Sequence, residues 1–251
     1  MKYSVSAQSH VGLVRSQNED MILISNRFLR DESYEIQLHA DEYSGNILFA
    51  LADGMGGHNA GEVASEETLH HLSAFFNSLP SGLTPEGLQQ AFTAWIWQAH
   101  THLKQKGDAY PELFNMGTTL VGLCLYEGRA YSFNCGDSRI YLMRSDKLER
   151  LSEDHTYDRI TGRKEHSHIL TNCVGCGQSI FLDFKPLLDA PSAGDTFLLC
   201  SDGLTEHLLD DQIRDFMLKH DSPHSIAKEL LQKTFCNGAH DNVTILCTKY
   251  S

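Results

Sequence analysis

Apolar and polar side chains alternate along residues 2–9 and 34–39, and short, nearly continuous apolar runs fill 21–25 and 47–52, with polar turns between them. A period of two fits a strand buried on one face, and a short unbroken apolar run fits one buried on both, so four strands are expected here. After the glycines near residue 56 the period changes. Leu69, Leu72, Phe75, Phe76 and Leu79 recur at three and four residues, which predicts an amphipathic helix over 61–79. A second helix is expected from Pro85, with Thr84 as its N-cap, Leu88, Ala91, Trp95, Ile96 and Leu103 on one face, and Gly107 as its stop.

Strand patterning returns at 118–126, 130–134 and 139–143, closely spaced and with turns at Glu127-Gly128 and Ser145-Asp146. A buried strand at 196–200, helices over 210–219 and from the Ser222-Pro223 cap to about 234, and a last strand at 243–249 complete the reading. Most consecutive strands are too close for crossover helices, and the helices come in pairs. That combination points to an α+β layered domain with antiparallel sheets, not a parallel βαβ sheet.

No linker, charge block or repeat divides the 251 residues, so one domain spanning 1–251 is expected. The apolar fraction of 41 % is enough for a sizeable core. The first ten residues lack a secretory apolar region, and no apolar stretch approaches the ~18 residues a membrane span needs, which predicts a cytoplasmic protein with no membrane partner. Seven cysteines, mostly within apolar runs, fit a reduced compartment. The net charge of -13 argues against nucleic acid as a partner. His70, His71, His100 and His102 fall within the two helices and are expected to face solvent, whereas Trp95 and Trp97 should divide between core and surface.

Against that background, four aspartates stand where apolar runs give out: Asp53 after LFALA, Asp137 in FNCGDSR, Asp202 after FLLCS, and Asp241 before NVTIL. Carboxylates at strand ends can converge in a cleft, and several together form a site for a hard divalent cation. Two of them, Asp53 and Asp202, precede glycine, which lets backbone approach the site closely. Oxygen-only ligands select Mn2+ or Mg2+.

Arg15-x-x-Asn18-Glu19-Asp20, the LADGMGGH run, Gly117-Thr118-Thr119, Gly136-Asp137-Ser138-Arg139, Ser201-Asp202-Gly203-Leu204 and Asp241-Asn242-Val243-Thr244 follow one another along the whole chain. In this order they resemble the motifs of type 2C metal-dependent serine/threonine protein phosphatases, and the chain is similar to a bacterial-style member. The resemblance implies a four-layer α-β-β-α sandwich, two mainly antiparallel central sheets flanked by pairs of helices. It also implies that Asp53 bridges two Mn2+ or Mg2+ ions, that Gly54 adds its carbonyl, and that Asp202 and Asp241 complete the set around the first ion. Glu19 or Asp20 would stand near the second ion, and Asp137 with Asp202 would hold a third, weaker one.

The implied reaction is hydrolysis of phosphoserine and phosphothreonine in proteins by a hydroxide bridging two metals, reversing a cognate Ser/Thr kinase. Arg15 would hold the phosphate, since a planar guanidinium grips two oxygens at once. Met55 stands where many relatives carry a histidine, which leaves His58 or a metal-bound water as the proton donor for the leaving oxygen. A catalytically inactive phosphopeptide-binding or scaffold domain is the alternative, and a monomer is expected. The flap that usually borders the substrate groove is cut to residues 157–168. Within and beyond it, His166, His168, Cys173 and Cys176 have the residue types of a zinc set but poor spacing for one, so a polar loop is the expected reading.

Overall fold

The computed structural model describes residues 2–43, 45–56, 60–162 and 169–251; His58, His166 and His168, and with them the proton-donor and zinc readings, lie outside the described residues. Strands and helices follow the chain as β1 (Lys2–His10), β2 (Asp20–Ile24), β3 (Arg27–Leu29), β4 (Ser33–His39), β5 (Ile47–Met55), α1 (Ala60–Asn77), α2 (Pro85–Ala109), β6 (Gly117–Thr118), β7 (Leu120–Tyr126), β8 (Arg129–Cys135), β9 (Arg139–Arg144), β10 (Lys147–Arg150), α3 (Tyr157–Thr161), β11 (Asp183–Pro186), β12 (Thr196–Cys200), α4 (Asp202–Thr205), α5 (Asp210–Lys219), α6 (Pro223–Cys236) and β13 (Val243–Tyr250).

These strands form two antiparallel sheets. One runs β10-β9-β12-β13-β1-β4; the other runs β11-β8-β7-β5-β2-β3, with β6 paired to the end of β5. Alternation along β5 explains how they stack: Ile47, Phe49 and Leu51 point into the core between the sheets, whereas Leu48, Ala50 and Ala52 point into the core under α1 and α2. On the other sheet, Phe197 and Leu199 of β12 face the central core, and Leu198 and Cys200 pack under α4, α5 and α6. The result is the expected four-layer α-β-β-α sandwich.

Local chemistry accounts for the boundaries. Thr84 caps α2 by accepting a hydrogen bond from the Gly87 N–H at 3.1 Å, and the Ser222 hydroxyl accepts from the Ser225 N–H at 3.1 Å to cap α6. The turn pairs Glu127-Gly128 and Ser145-Asp146 all have positive φ, at 48°, 79°, 47° and 66°, as a tight hairpin turn requires.

Four expectations are corrected. Gly107 does not stop α2, because it lies inside the helix where a Cβ would stand 3.0 Å from the Leu113 carbonyl oxygen; the helix ends at Ala109, and Tyr110 before Pro111 is extended. The strand expected at 118–126 is two pieces, broken at Thr119, whose N–H donates to the Asp53 carbonyl at 2.9 Å. The strand expected at 47–52 continues through Asp53 and Gly54 to Met55, because β6 pairs with that end. His100 is buried, with Nδ1 accepting from the Gly175 N–H at 3.2 Å. Trp95 and Trp97 do divide, at 4 % and 45 % exposed.

Candidate metal centre

At one end of the two sheets a cleft of 420 Å³ is lined by Arg15, Glu19, Asp53, Gly54, Thr119, Asp137, Leu170, Cys173, Cys176, Asp202 and Asp241, among others. Hollows of 510 and 660 Å³ lie elsewhere, but the first mixes arginine and lysine with its carboxylates, and the second holds His224 and Lys249 beside Glu35 and Asp221. Of these three, the smaller cleft gathers five acidic residues against a single arginine, so chemistry and not volume selects it.

Each acidic residue arrives from a different element. Asp53 sits near the end of β5, Asp137 in the turn between β8 and β9, Asp202 at the first residue of α4, and Asp241 just before β13. All four are half-buried, with part of their surface open to the cleft. Behind them, Asp20 on β2 is fully buried and stands directly opposite Asp53 in the β2–β5 register. Two carboxylates paired across strands repel one another unless a proton or a cation joins them.

The packing around the two Asp-Gly pairs explains the glycines. A Cβ on Gly54 would stand 2.0 Å from the Gly61 carbonyl oxygen, and one on Gly203 would stand 1.9 Å from that of Asn242. Neither glycine has a positive φ, so space rather than conformation demands it. The first contact docks the start of α1 onto β5; the second docks α4 onto the segment that carries Asp241.

Hydrogen bonds fix the carboxylates further. The Asp53 N–H donates to the Thr119 hydroxyl at 3.1 Å, and that hydroxyl meets the Ser138 hydroxyl at 2.7 Å. Asn242 locks the Arg15 segment: its Oδ1 accepts from the Glu19 N–H at 2.8 Å, and its Nδ2 donates to the carbonyls of Val11 and Gln17 at 2.9 Å. Arg15, half-exposed at the mouth, donates through Nη2 to Asp241 Oδ2 at 2.6 Å. Arg139 forks onto both oxygens of Asp154 at 3.0 and 2.8 Å, which pins the strand that follows Asp137.

The electrostatics match a cation site. Burial, then Asp20, Asp202 and Asp137, hold the Asp53 carboxyl well above the usual range. Burial, then Asp137 and Glu206, do the same to Asp202. Asp137 is pushed up to about 6 by burial and then by Asp154. Asp20 is likewise pushed up to about 6 by burial, against the hydroxyls of Thr244 and Ser201, the latter donating at 2.8 Å to Oδ2. Its other oxygen is buried without a hydrogen-bond partner. Burial also raises Glu19, which the Arg15 charge counteracts.

Among the described residues, no three His, Cys, Asp or Glu side chains form a ready-made ion cage. The donor set nevertheless fits hard divalent ions whose shells are completed by water: clustered carboxylates, one orphaned buried oxygen, and a backbone carbonyl at Gly54. The structure brings together every sequence-expected residue that it describes, with Arg15, Glu19, Asp53, Gly54, Asp137, Asp202 and Asp241 on the cleft and Asp20 one layer behind. Residue reading assigned no role to Thr119, Ser138, Ser201 or Asn242, although all four lie within the quoted motifs.

The protein phosphatase 2C family model matches residues 27–233. Serine/threonine protein phosphatase PstP of Mycobacterium tuberculosis is 32% identical over 250 residues, covering 96% of this chain and 44% of PstP, so the chain spans less than half of that relative. The structure of PppA, described as a key regulatory component of T6SS in Pseudomonas aeruginosa, superposes with a TM-score of 0.78 at 31% identity, covering 98% of this chain and 97% of PppA. The PstP catalytic domain in complex with 2 manganese ions superposes at 0.74 with 29% identity, covering 99% of each chain. No helix among the described residues is long and apolar enough to cross a membrane. With the family model matched over most of its length and its aspartates gathered in one cleft, the chain belongs to the protein phosphatase 2C family.

Proposed function

We propose that residues 1–251 act as one catalytic unit that hydrolyses phosphoserine and phosphothreonine in proteins, with Mn2+ or Mg2+, and reverses a Ser/Thr kinase. The observation that carries this reading is the convergence of carboxylates from four separate elements on one cleft with an arginine at its mouth. Family membership and the two manganese ions in the PstP catalytic domain support it.

In this reading Asp53, the Gly54 carbonyl, Asp202 and Asp241 would hold the ions, and Glu19 or Asp20 would stand near the second of them. Asp137 with Asp202 would hold a third. Bound divalent ions supply the acidity that makes water a nucleophile at neutral pH and offset charge on the phosphoryl oxygens. The protein's own part is positional. Arg15 presents a planar five-donor fork at the mouth of the cleft, and one of its nitrogens already meets Asp241, so a phosphoryl group would be oriented beside the carboxylates. Thr119 and Asn242 keep the Asp53 and Glu19 segments from drifting.

The test is hydrolysis of para-nitrophenyl phosphate and of a phosphothreonine peptide by chelated protein, with and without added manganese. Turnover of both substrates only with the metal is expected. Metal-independent turnover, or none under any condition, overturns the reading, and the second result with phosphopeptide binding retained would favour the scaffold alternative.

A further inference from the structure

Two thiols line the cleft that the phosphatase chemistry leaves unused. Cys173 is buried, Cys176 is half-exposed, and the two side chains line the same cleft from either end of a turn with two residues between them. The other buried cysteines are different: Cys124, Cys135, Cys200 and Cys247 sit in the apolar cores and not on the cleft, and burial pushes each of their thiols up.

The turn carrying the two thiols is built around them. A Cβ on Gly117 would stand 2.4 Å from the Cys176 sulfur, so the glycine leaves room for it. Cys176 Sγ lies 3.5 Å from the Asn115 carbonyl oxygen and 3.6 Å from that of Met116. Gly175, with φ of 91°, donates its N–H to His100 Nδ1, and Lys104 reaches the Gly177 carbonyl beside it. The neighbouring Cys173 draws the Cys176 thiol below its ordinary value, with Lys104 adding to the effect and burial opposing it, while the Cys173 thiol is raised. The half-exposed sulfur is therefore the better nucleophile, and the buried one is its resolving partner.

A short path links this turn to the carboxylates. Val174 and Thr118 exchange two backbone hydrogen bonds of 2.9 Å, and the Thr118 hydroxyl and the Thr119 N–H each donate to the Asp53 carbonyl at 2.9 Å. In register, Thr118 pairs with Gly54 and Gly117 with Met55. A single residue pair thus separates the thiols from the backbone that positions Asp53.

We propose that Cys173 and Cys176 are a modification site for hydrogen peroxide, closing to a reversible disulfide that shifts β6 and switches off the adjoining cleft. The Cys176 thiolate attacks one peroxide oxygen; an S–O bond forms, the O–O bond breaks, and the other oxygen leaves as hydroxide and takes up the proton released by the Cys176 thiol. Cys173 sulfur then attacks Cys176 sulfur; the S–S bond forms, the S–O bond breaks, and the departing hydroxyl leaves as water with the Cys173 proton. Two thiols lose two electrons to one peroxide and two waters result. Closing to the ~2.05 Å of an S–S bond draws Cys176 off the Asn115 and Met116 carbonyls and moves Val174, and with it Thr118. The loss of turnover rests on the phosphatase reading; formation of the bond does not.

The experiment uses the full chain with Cys236, an exposed cysteine, changed by Cys236→Ser to prevent cross-linking. Reduced protein is titrated with hydrogen peroxide, alkylated and digested, while manganese-dependent hydrolysis of para-nitrophenyl phosphate is followed in parallel. We expect the peptide holding both cysteines to lose two hydrogens in step with activity. At full conversion the loss is at least about tenfold, since a ~1 Å displacement of a reacting group costs that much or more. Dithiothreitol restores both. Cys173→Ser and Cys176→Ser should each remove the peroxide sensitivity, and the dithiothreitol arm tests the site without any variant at either cysteine. A peptide that stays fully reduced under peroxide that oxidises free cysteine overturns the proposal, as does a disulfide that leaves turnover unchanged. A reduced protein with no turnover overturns the phosphatase reading instead, and the mass measurement still decides whether the bond forms.

Discussion

Asp202 concentrates the electrostatic problem of the cleft in one side chain. Burial and the neighbouring Asp137 and Glu206 disfavour its charge, so an ionised Asp202 is more stable with a cation beside it than without. Asp202→Asn keeps the shape and removes the charge. It should lower manganese-dependent turnover by roughly a hundredfold or more, the scale on which lost transition-state electrostatics register, while the chelated protein melts at the same temperature or higher. Arg15→Ala is the contrast: it should raise the Michaelis constant more than it lowers kcat, because Arg15 stands at the mouth and not among the carboxylates. Matching kinetic losses in the two variants, or a chelated Asp202→Asn protein that melts lower, would contradict this division of labour. The carboxylates were legible in the sequence because each stands at one end of a short apolar run beside glycine or asparagine. The Arg15–Asp241 pair was not, since 226 residues separate its partners. Nor were the hydroxyl of Thr119 and the amide of Asn242, whose work depends on which strands become neighbours.

Elements that bury a regular face were equally legible, and those that do not were missed. β10 reads Lys-Leu-Glu-Arg with no fully buried residue, and β3 is three residues long, so neither carries a pattern that competes with turn propensity. Yet the segment after β3 delivers a clamp. Arg30 Nε donates to the Asp20 carbonyl at 3.0 Å, Nη1 to Glu62 Oε1 at 2.7 Å, and Nη2 to the Glu62 carbonyl at 2.9 Å and the Ser65 hydroxyl at 3.1 Å. One side chain thereby ties β2, with Glu19 and Asp20, to the first turn of α1. Arg30→Ala should destabilise the chelated protein by about 2–4 kcal/mol, the range for breaking a charged, largely buried network. Arg30→Lys should recover little of it, because an ammonium cannot reach three directions in a plane. Thr84→Ala is the reference for a purely helical defect, at about 1 kcal/mol with manganese binding intact. Denaturant melts of the three variants, each with a manganese titration, check this; an Arg30→Ala protein no weaker than Thr84→Ala would remove the clamp from the account.

Across the whole molecule the acidic cleft couples metal, protons and stability. The chain carries a net charge of -13, and the two sheets hold Asp20 and Asp137 where burial pushes each up to about 6 from an ordinary 3.8. The folded state therefore holds more protons than the unfolded chain between those values. The stability these groups contribute is whole below 3.8, falls as pH rises toward 6, and is gone above it, so chelated protein is penalised most at neutral pH. Divalent ions take the place of the missing protons, and protons compete with them in acid. One site held at a hundred times its dissociation constant adds about 2.7 kcal/mol. At roughly 2–4 °C per kcal/mol for a domain of this size, the melting temperature should rise by about 5–10 °C. That rise, measured by differential scanning calorimetry with manganese against chelator, should be clearly larger near pH ~7.5 than near pH ~5, where the carboxyls of Asp20 and Asp137 are mostly protonated. Asp20→Asn should raise the melting temperature of the chelated protein near pH ~7.5 and leave it unchanged near pH ~4, since only the charged form is costly. An equal manganese effect at both pH values, or an Asp20→Asn shift that persists in acid, would mean that the buried carboxylates do not set the stability of the metal-free fold.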